Sequence, residues 1–424
     1  MSSLSDKAEL APDVKSFFSG IGDTLKTGMA KLSEQAGTTT AGFSTLATIL
    51  SIILLVLLLI WYMRKRRLFE TPHNVARMTR ADSKAMEHYE QSKDKRISLI
   101  AYLQQLKNQG VPENHFAVTN FYVSTTNAAG IFLPALDSVV SPLAAKYQMA
   151  AGARAFIIDI WRDITPGNKF APSVQVIEAG SNWRRISMNM LPLSTILKTI
   201  VEEGITNNRR PGQNDPLFIY LRFRNPHKLT LDGAAKALQK TIEPYRLEPS
   251  FNNCRGQNRL FALPIFSLCD KIVVMSNTRA VNSVLSDYIN VGPLDGIKME
   301  WTTKDANGIS ESMKPEQIRK IRQNFTWIAP ASEEPSATAN DYTLTNAQSL
   351  GIQFIGMNFA NKNDNLKAYL DPKMFGKSSF AIKPVSLRYF IEVLPPPKYP
   401  QDPKWGSGTT AGSPTEPPAI KMPT

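Results

Sequence analysis

Apolar and polar positions alternate in two registers between Pro112 and Val393. Short apolar runs, NFYVST, AFIIDIW, SVQVIEA, LFIYLRF, KIVVMS, IQFIGMNF and FAIKPV, have the length and the β-branched and aromatic content of buried strands. Between several of them lie helix-period stretches, SPLAAKYQMAAG, LPLSTILKTIVEEG and TLDGAAKALQKTI. Strands that take turns with helices predict βα units around a parallel sheet. Seven such runs within residues 112–393 predict an α/β fold of the (β/α)8 TIM-barrel type. A doubly wound open sheet is the alternative, and no glycine-rich phosphate loop supports it.

The flanks follow other patterns. Residues 44–63, STLATILSIILLVLLLIWYM, run 20 positions without a charge. At about 1.5 Å per residue this matches a hydrocarbon core of roughly 30 Å and predicts a single transmembrane helix. The run starts far from Met1 and has no small-residue cleavage site behind it, which argues against a signal peptide. Residues 1–43 read as a weakly ordered tail. Residues 64–111 read as a basic stalk leading into a helix that includes ISLIAYLQQLKNQG, with Gly110 suited to its C-terminal cap. Residues 394–424 hold nine prolines and read as a disordered or polyproline tail that a partner protein could recognise.

Charge sharpens this division. Residues 1–63 carry four lysines and five acids, whereas residues 64–424 carry 45 basic and 31 acidic groups. Arg64, Lys65, Arg66 and Arg67 follow the apolar run directly, which predicts an outside N-terminus and a barrel on the cytoplasmic side of a cellular or viral membrane. Anionic phospholipid headgroups are the expected partner of that surplus. Trp183, Arg184 and Arg185 in SNWRRIS form a second candidate lipid contact, with a solvated loop as the plain alternative. Nucleic acid is not expected, because no recognition motif accompanies the charge. Cys254 and Cys269 are too few for a disulfide scaffold and read as free thiols. No Walker loop, CxxC pair or nucleophile elbow is present.

The ends of the apolar runs carry a further pattern. FIIDIWRD resembles the Arg-Cys-Val-Glu-Leu-Asp-Cys-Trp-Asp strand of phosphoinositide-specific phospholipase C. NFYVSTTNAAG is similar to that family's Ser-Ser-Ser-His-Asn-Thr-Tyr stretch, and DPLFIYLRFRN to its Tyr-Pro-Val-Ile-Leu-Ser-Leu-Glu-Asn strand. GIQFIGMNFAN and FAIKPVSLRY resemble Gln-Met-Val-Ala-Leu-Asn-Phe-Gln and Tyr-Val-Leu-Lys-Pro-Glu-Phe-Leu-Arg. Together they cover both halves of the family's catalytic barrel, in order.

That resemblance implies cleavage of a phosphodiester by an inositol hydroxyl, with histidines as acid and base and a calcium ion on the phosphate. It also implies which positions should do this. Thr126 stands where the first histidine would be, followed by Asn127, which matches a calcium ligand. Ile157 replaces a ligand glutamate, while Asp159 is kept. The second histidine falls on Ala179, or on Glu178 if the alignment slips by one. Arg222 stands in place of the last ligand glutamate, Met275 and Asn277 in place of two lysines with Lys271 nearby, and Trp327 in place of an inositol-contacting arginine.

A guanidinium cannot lose its charge in a protein, so Arg222 adds repulsion where a dication would sit. It is expected to pair with Asp159 instead. The chain has four histidines, His73, His88, His115 and His227, and only His227 follows a strand end; a helix-start role is its plain reading. The sequence therefore predicts no cofactor, no metal and a vestigial pocket, in a membrane-anchored scaffold or anionic-lipid-binding module. The alternative is a calcium-independent phosphoric diester hydrolase acting on phosphoinositides through Asp159, Glu178, Arg222 and His227, since some bacterial relatives use arginine in place of calcium.

Overall fold

The protein was analysed as a computed structural model that describes residues 27, 51–59, 72–91, 96–131, 139–162, 170–174, 187, 189–206, 214–224, 226–251, 258–293, 300–301, 315–328, 340, 344–359 and 362–389. Residues 1–26 and 390–424, the run Arg64–Arg67, Cys254, Glu178, Ala179, Trp183, Arg184 and Arg185 lie outside these residues.

The strands are β1 (Phe121–Thr126), β2 (Ala155–Arg162), β3 (Pro172–Val174), β4 (Leu191–Pro192), β5 (Leu217–Phe223), β6 (Ile272–Ser276), β7 (Glu300–Trp301), β8 (Trp327–Ile328), β9 (Phe354–Met357) and β10 (Phe380–Ile382). Seven of them form a parallel series in the order β6-β5-β2-β1-β9-β8-β7. Val291 adds a parallel bridge to Met275 at the free edge of β6. Five sheet spacings separate β5 from β7, about 24 Å if the sheet were flat. Tyr220 of β5 nevertheless donates to Glu300 of β7 at 2.8 Å. The sheet has therefore curled round on itself into a barrel of parallel strands.

Side-chain alternation then sorts the core into two layers. Phe121, Val123, Ala155, Ile157, Phe218, Tyr220, Val273, Met275, Trp327 and Phe354 fill the interior. Tyr122, Phe156, Ile158, Leu217, Ile219, Val274, Ile328 and Ile355 face outward onto the helices. The helices among the described residues are α1 (Pro72–Gln91), α2 (Leu99–Asn108), α3 (Pro142–Ala150), α4 (Leu193–Val201), α5 (Lys228–Ile242), α6 (Pro315–Gln323), α7 (Leu344–Leu350) and α8 (Asp364–Tyr369). The N-termini of α2, α3, α5 and α8 are capped by the side chains of Ser98, Ser141, His227 and Asn363. Gly110, at φ +82°, ends α2: its N–H donates to the Lys107 carbonyl and the N–H of Val111 to that of Leu106.

Two expectations change. Ser173 and Val174, the described residues of SVQVIEA, belong to β3, which pairs antiparallel with β2. FAIKPV supplies β10, antiparallel to the first half of β1. Both runs are apolar because they cover barrel edges, and apolar composition does not encode strand direction. The described part of the segment read as a stalk packs on the barrel. Helix α1 lies along α3, where Ala81 and Ala85 are buried, Asp82 accepts from Ser141 at 2.5 Å and Lys146 sits 4.7 Å over the Tyr89 ring. Small residues permit this close approach, a signal masked by the surrounding charges. Helix α2 closes the N-terminal end of the barrel, with Leu99, Leu103 and Leu106 in the interior core beside Phe116 and Phe121. Among the described residues no helix is long and apolar enough to cross a membrane; 51–59, the described part of the 44–63 run, is helical with its large apolar side chains mostly exposed.

Candidate functional site

In a parallel barrel the strands deliver their last inward residues to the C-terminal mouth. Near that end β2 and β5 set Asp159 and Arg222 side by side on the inward face, their backbones register partners. Arg222 clamps Asp159 with two parallel bonds, Nε to Oδ1 at 2.6 Å and Nη2 to Oδ2 at 2.7 Å. Arg224, just past β5, adds a third from Nε to Oδ1 at 3.0 Å. The other edge of the Arg222 guanidinium reaches Glu300 at 3.3 Å, and Glu300 also accepts from the Tyr220 hydroxyl. The Tyr220 ring packs on Trp327 with centroids 4.1 Å apart. The mouth is thus floored by aromatics and sealed by a network of two arginines and two carboxylates.

Burial sets the electrostatics. The Arg222 side chain is 3% exposed and that of Asp159 18%. Desolvation alone would raise the carboxyl pKa of Asp159, but the charges of Arg222 and Arg224 and their hydrogen bonds outweigh it and hold the group at about 2. Arg222 is likewise held above its ordinary value, the attraction of Asp159 overcoming burial. Burial and then the charge of Glu300 push the Tyr220 phenol well up, so it stays a proton donor at neutral pH.

This arrangement does not fit calcium. The ion takes six to eight oxygens. Here both carboxylates of the mouth are bonded to one guanidinium, and among the described residues no three His, Cys, Asp or Glu side chains gather where they could hold a metal. Nor does it offer a proton shuttle. His227 spends Nδ1 on the backbone N–H of Leu229, 3.2 Å away, and stacks on Phe170 with centroids 4.1 Å apart. His115 contacts Arg388 at the opposite end of the barrel, and His88, on the outer helix α1, contacts Lys362.

No family model matches the chain, and no curated protein does. Among solved structures it is similar to L. pealei PLC21 and S. officinalis PLC21, each at 14% identity and a TM-score of 0.46 over 64% of this chain. It spans 38% of the length of those two proteins. It is also similar to a calcium-dependent phosphoinositol-specific phospholipase C from the Gram-negative bacterium Pseudomonas sp., at 9% identity and a TM-score of 0.39 over 64% of this chain and 96% of that one.

The sequence-derived positions fall into separate groups. Asp159, Ile157, Arg222 and Trp327 line the interior, and Asp159 and Arg222 form the expected pair. Asn127 sits at the end of β1, nearly buried, with an unpartnered Oδ1. Thr126 shares the face of its register partner Phe156, towards the helix layer, and donates to the Asn127 carbonyl. It is not a pocket residue, because the alternation of β1 turns it away from the face of Val123. Met275 belongs to the interior core, whereas Asn277 ties both amide atoms to the Phe223 backbone. Lys271 precedes β6 and lies at the end of the barrel opposite Asp159. Sequence reasoning missed Tyr220, Arg224 and Glu300. The period-two alternation through Phe218, Tyr220 and Arg222 could have found Tyr220; the two-residue β7 carries no pattern that would have revealed Glu300.

Proposed function

We propose that the chain is a membrane-tethered barrel of the phospholipase-C type that does not carry out calcium-dependent phosphodiester cleavage and serves as a scaffold or anionic-lipid-binding module. The strand-end motifs support the family reading, and the run at 44–63 followed by Arg64–Arg67 supports the tether, with the barrel on the cytoplasmic side. The observation that carries the functional reading is the two-armed bond from Arg222 to Asp159. An acid with this pKa and three guanidinium bonds can neither accept a proton near neutrality nor ligate a dication.

Its test is phosphoinositide hydrolysis by the purified chain, with calcium and with a chelator. No turnover is expected in either condition. Inositol phosphate release that needs calcium and disappears in Asp159→Ala would overturn the proposal. Release that persists in chelator and disappears in the same variant would favour a calcium-independent hydrolase, whose phosphate charge Arg222 and Arg224 would have to meet.

A further inference from the structure

We propose that the protein binds a compact oxyanion, of the phosphate or sulfate class, at the end of the barrel opposite the mouth, on the outer face of its wall between Arg322 of α6 and Lys383 just past β10. The alternation that sends Phe121, Val123 and Phe380 inward turns Tyr122 and Ala381 towards the helices. Lys383, two residues beyond Ala381, takes the same face. Its Nζ stands 5.6 Å from the centre of the Tyr122 ring and donates to the Gly351 carbonyl at 2.7 Å. Gly351 follows the end of α7, and a Cβ built on it would lie 3.6 Å from Cγ of Arg322, so both cations border one residue. The Tyr122 hydroxyl donates to the Gln348 carbonyl at 2.6 Å and fixes the same helix end. Arg388 adds a third cation, its Nε donating to the Lys383 carbonyl at 2.6 Å.

These cations lack a counter-charge. Among the described residues no carboxylate pairs with Arg322, Lys383 or Arg388. Lys383 is fully buried, and burial followed by the charge of Arg322 pushes its amine down to about 7. Arg322 is half-buried, and its Nε is shut off from solvent without a hydrogen-bond partner. Thr326, four residues further on, has a buried hydroxyl that is equally unpartnered. Phe325 and Trp327 on either side of it point into the barrel, so Thr326 turns to the helix layer, as Tyr122 does.

A buried donor without an acceptor and a buried cation without an opposing charge are each costly. One oxyanion removes both costs, because its oxygens accept from guanidinium, ammonium and hydroxyl while its charge opposes theirs. Burial also sets its size. Lys383 is closed off and Arg322 is half open, so the ligand enters along Arg322 and must be compact.

The test is titration calorimetry of the full chain in detergent micelles with inorganic phosphate and with sulfate, ionic strength being held constant with chloride. One saturable site per chain is expected for each anion. Arg322→Gln should weaken it about tenfold or more, the effect of losing a charged donor, while Arg224→Gln at the mouth should leave it in place. Sulfate keeps its charge from about pH 7 to about 9, and in that window Lys383 is the group of this cluster that discharges. Burial holds the Tyr122 and Tyr102 phenols up and the His115 imidazole down, and Arg322 and Arg388 stay charged. Sulfate affinity should therefore fall as pH rises across the window, and Lys383→Met should abolish the fall. Arg322 bonds nothing in the fold, so Arg322→Gln reads the site even if Lys383→Met fails to fold. No saturable binding, binding unchanged in Arg322→Gln or lost in Arg224→Gln, or a sulfate affinity flat with pH overturns the proposal. So does phosphate that binds when carried on vesicles of phosphatidylcholine and phosphatidic acid but not when free.

Discussion

Replacing Arg222 with methionine should show how much of the barrel's stability sits in its mouth. The substitution keeps the stem and removes three bonds, two to Asp159 and one to Glu300. Breaking a buried ion pair from one side costs about 3–5 kcal/mol, because the remaining charge is left stranded. Arg224 still holds Asp159 at 3.0 Å, so the low end, about 3 kcal/mol, applies. A separate route gives a compatible figure. The fall of the Asp159 pKa from 3.8 to about 2 corresponds to about 2 kcal/mol of stability. Because this folded-state pKa is depressed, that contribution is complete above pH 3.8 and is lost as pH falls through about 2. Denaturant unfolding at neutral pH should therefore place Arg222→Met about 3 kcal/mol below the parent. Asp159→Asn with Arg222→Met should cost clearly less than the two single changes added together, since neither charge is then stranded. Strict additivity, or an Arg222→Met variant as stable as the parent, would refute the claim that the guanidinium is the counter-charge of Asp159.

Other positions give further tests. Lys383 is fully buried, donates to the Gly351 carbonyl at 2.7 Å, and is pushed down to about 7 by burial and by Arg322. Its unfolded form binds more protons above that value, so stability should rise with pH from about 7 towards 9, and Lys383→Met should remove that slope in unfolding curves. Trp327→Ala takes away the ring under Tyr220 and should cost about 3–5 kcal/mol by the same measurement. A Cβ at Gly356 would stand 2.8 Å from the Ile157 Cδ1 and 3.1 Å from the Ile328 carbonyl, so Gly356→Ala should cost about 1–3 kcal/mol. Adding Ile157→Val, which removes that methyl, should recover part of the loss and leave the carbonyl contact.

Much of the barrel was legible because its inner and outer layers impose period-two patterns on runs long enough to read. LFIYLRF and FIIDIWR are of this kind, and the Asp159–Arg222 pair follows from their adjacent register. Glu300 and Trp301 were not legible: a two-residue strand is defined by its neighbours, and nothing in KMEW distinguishes it from a loop. The side chosen by Thr126 was hidden for another reason. A motif aligned to a strand end fixes position along the chain, and a shift of one residue reverses the face. The docking of α1 escaped because two buried alanines among charged residues leave only a weak amphipathic trace.

The network at the mouth explains how two carboxylates are held close together inside a barrel. Two carboxylates facing each other across a barrel need a cation, and a divalent metal meets that need only while it is bound. A guanidinium meets it permanently, because it belongs to the chain and its planar fork matches the carboxylate edge. With Arg224 added, Asp159 and Glu300 are balanced by two fixed positive charges. The Tyr220–Trp327 stack then fills the interior beneath them with aromatic surface. The same bonds occupy the carboxylate oxygens that a dication would need as ligands. Charge balance and metal coordination compete for the same oxygens, and in this structure the guanidiniums hold them.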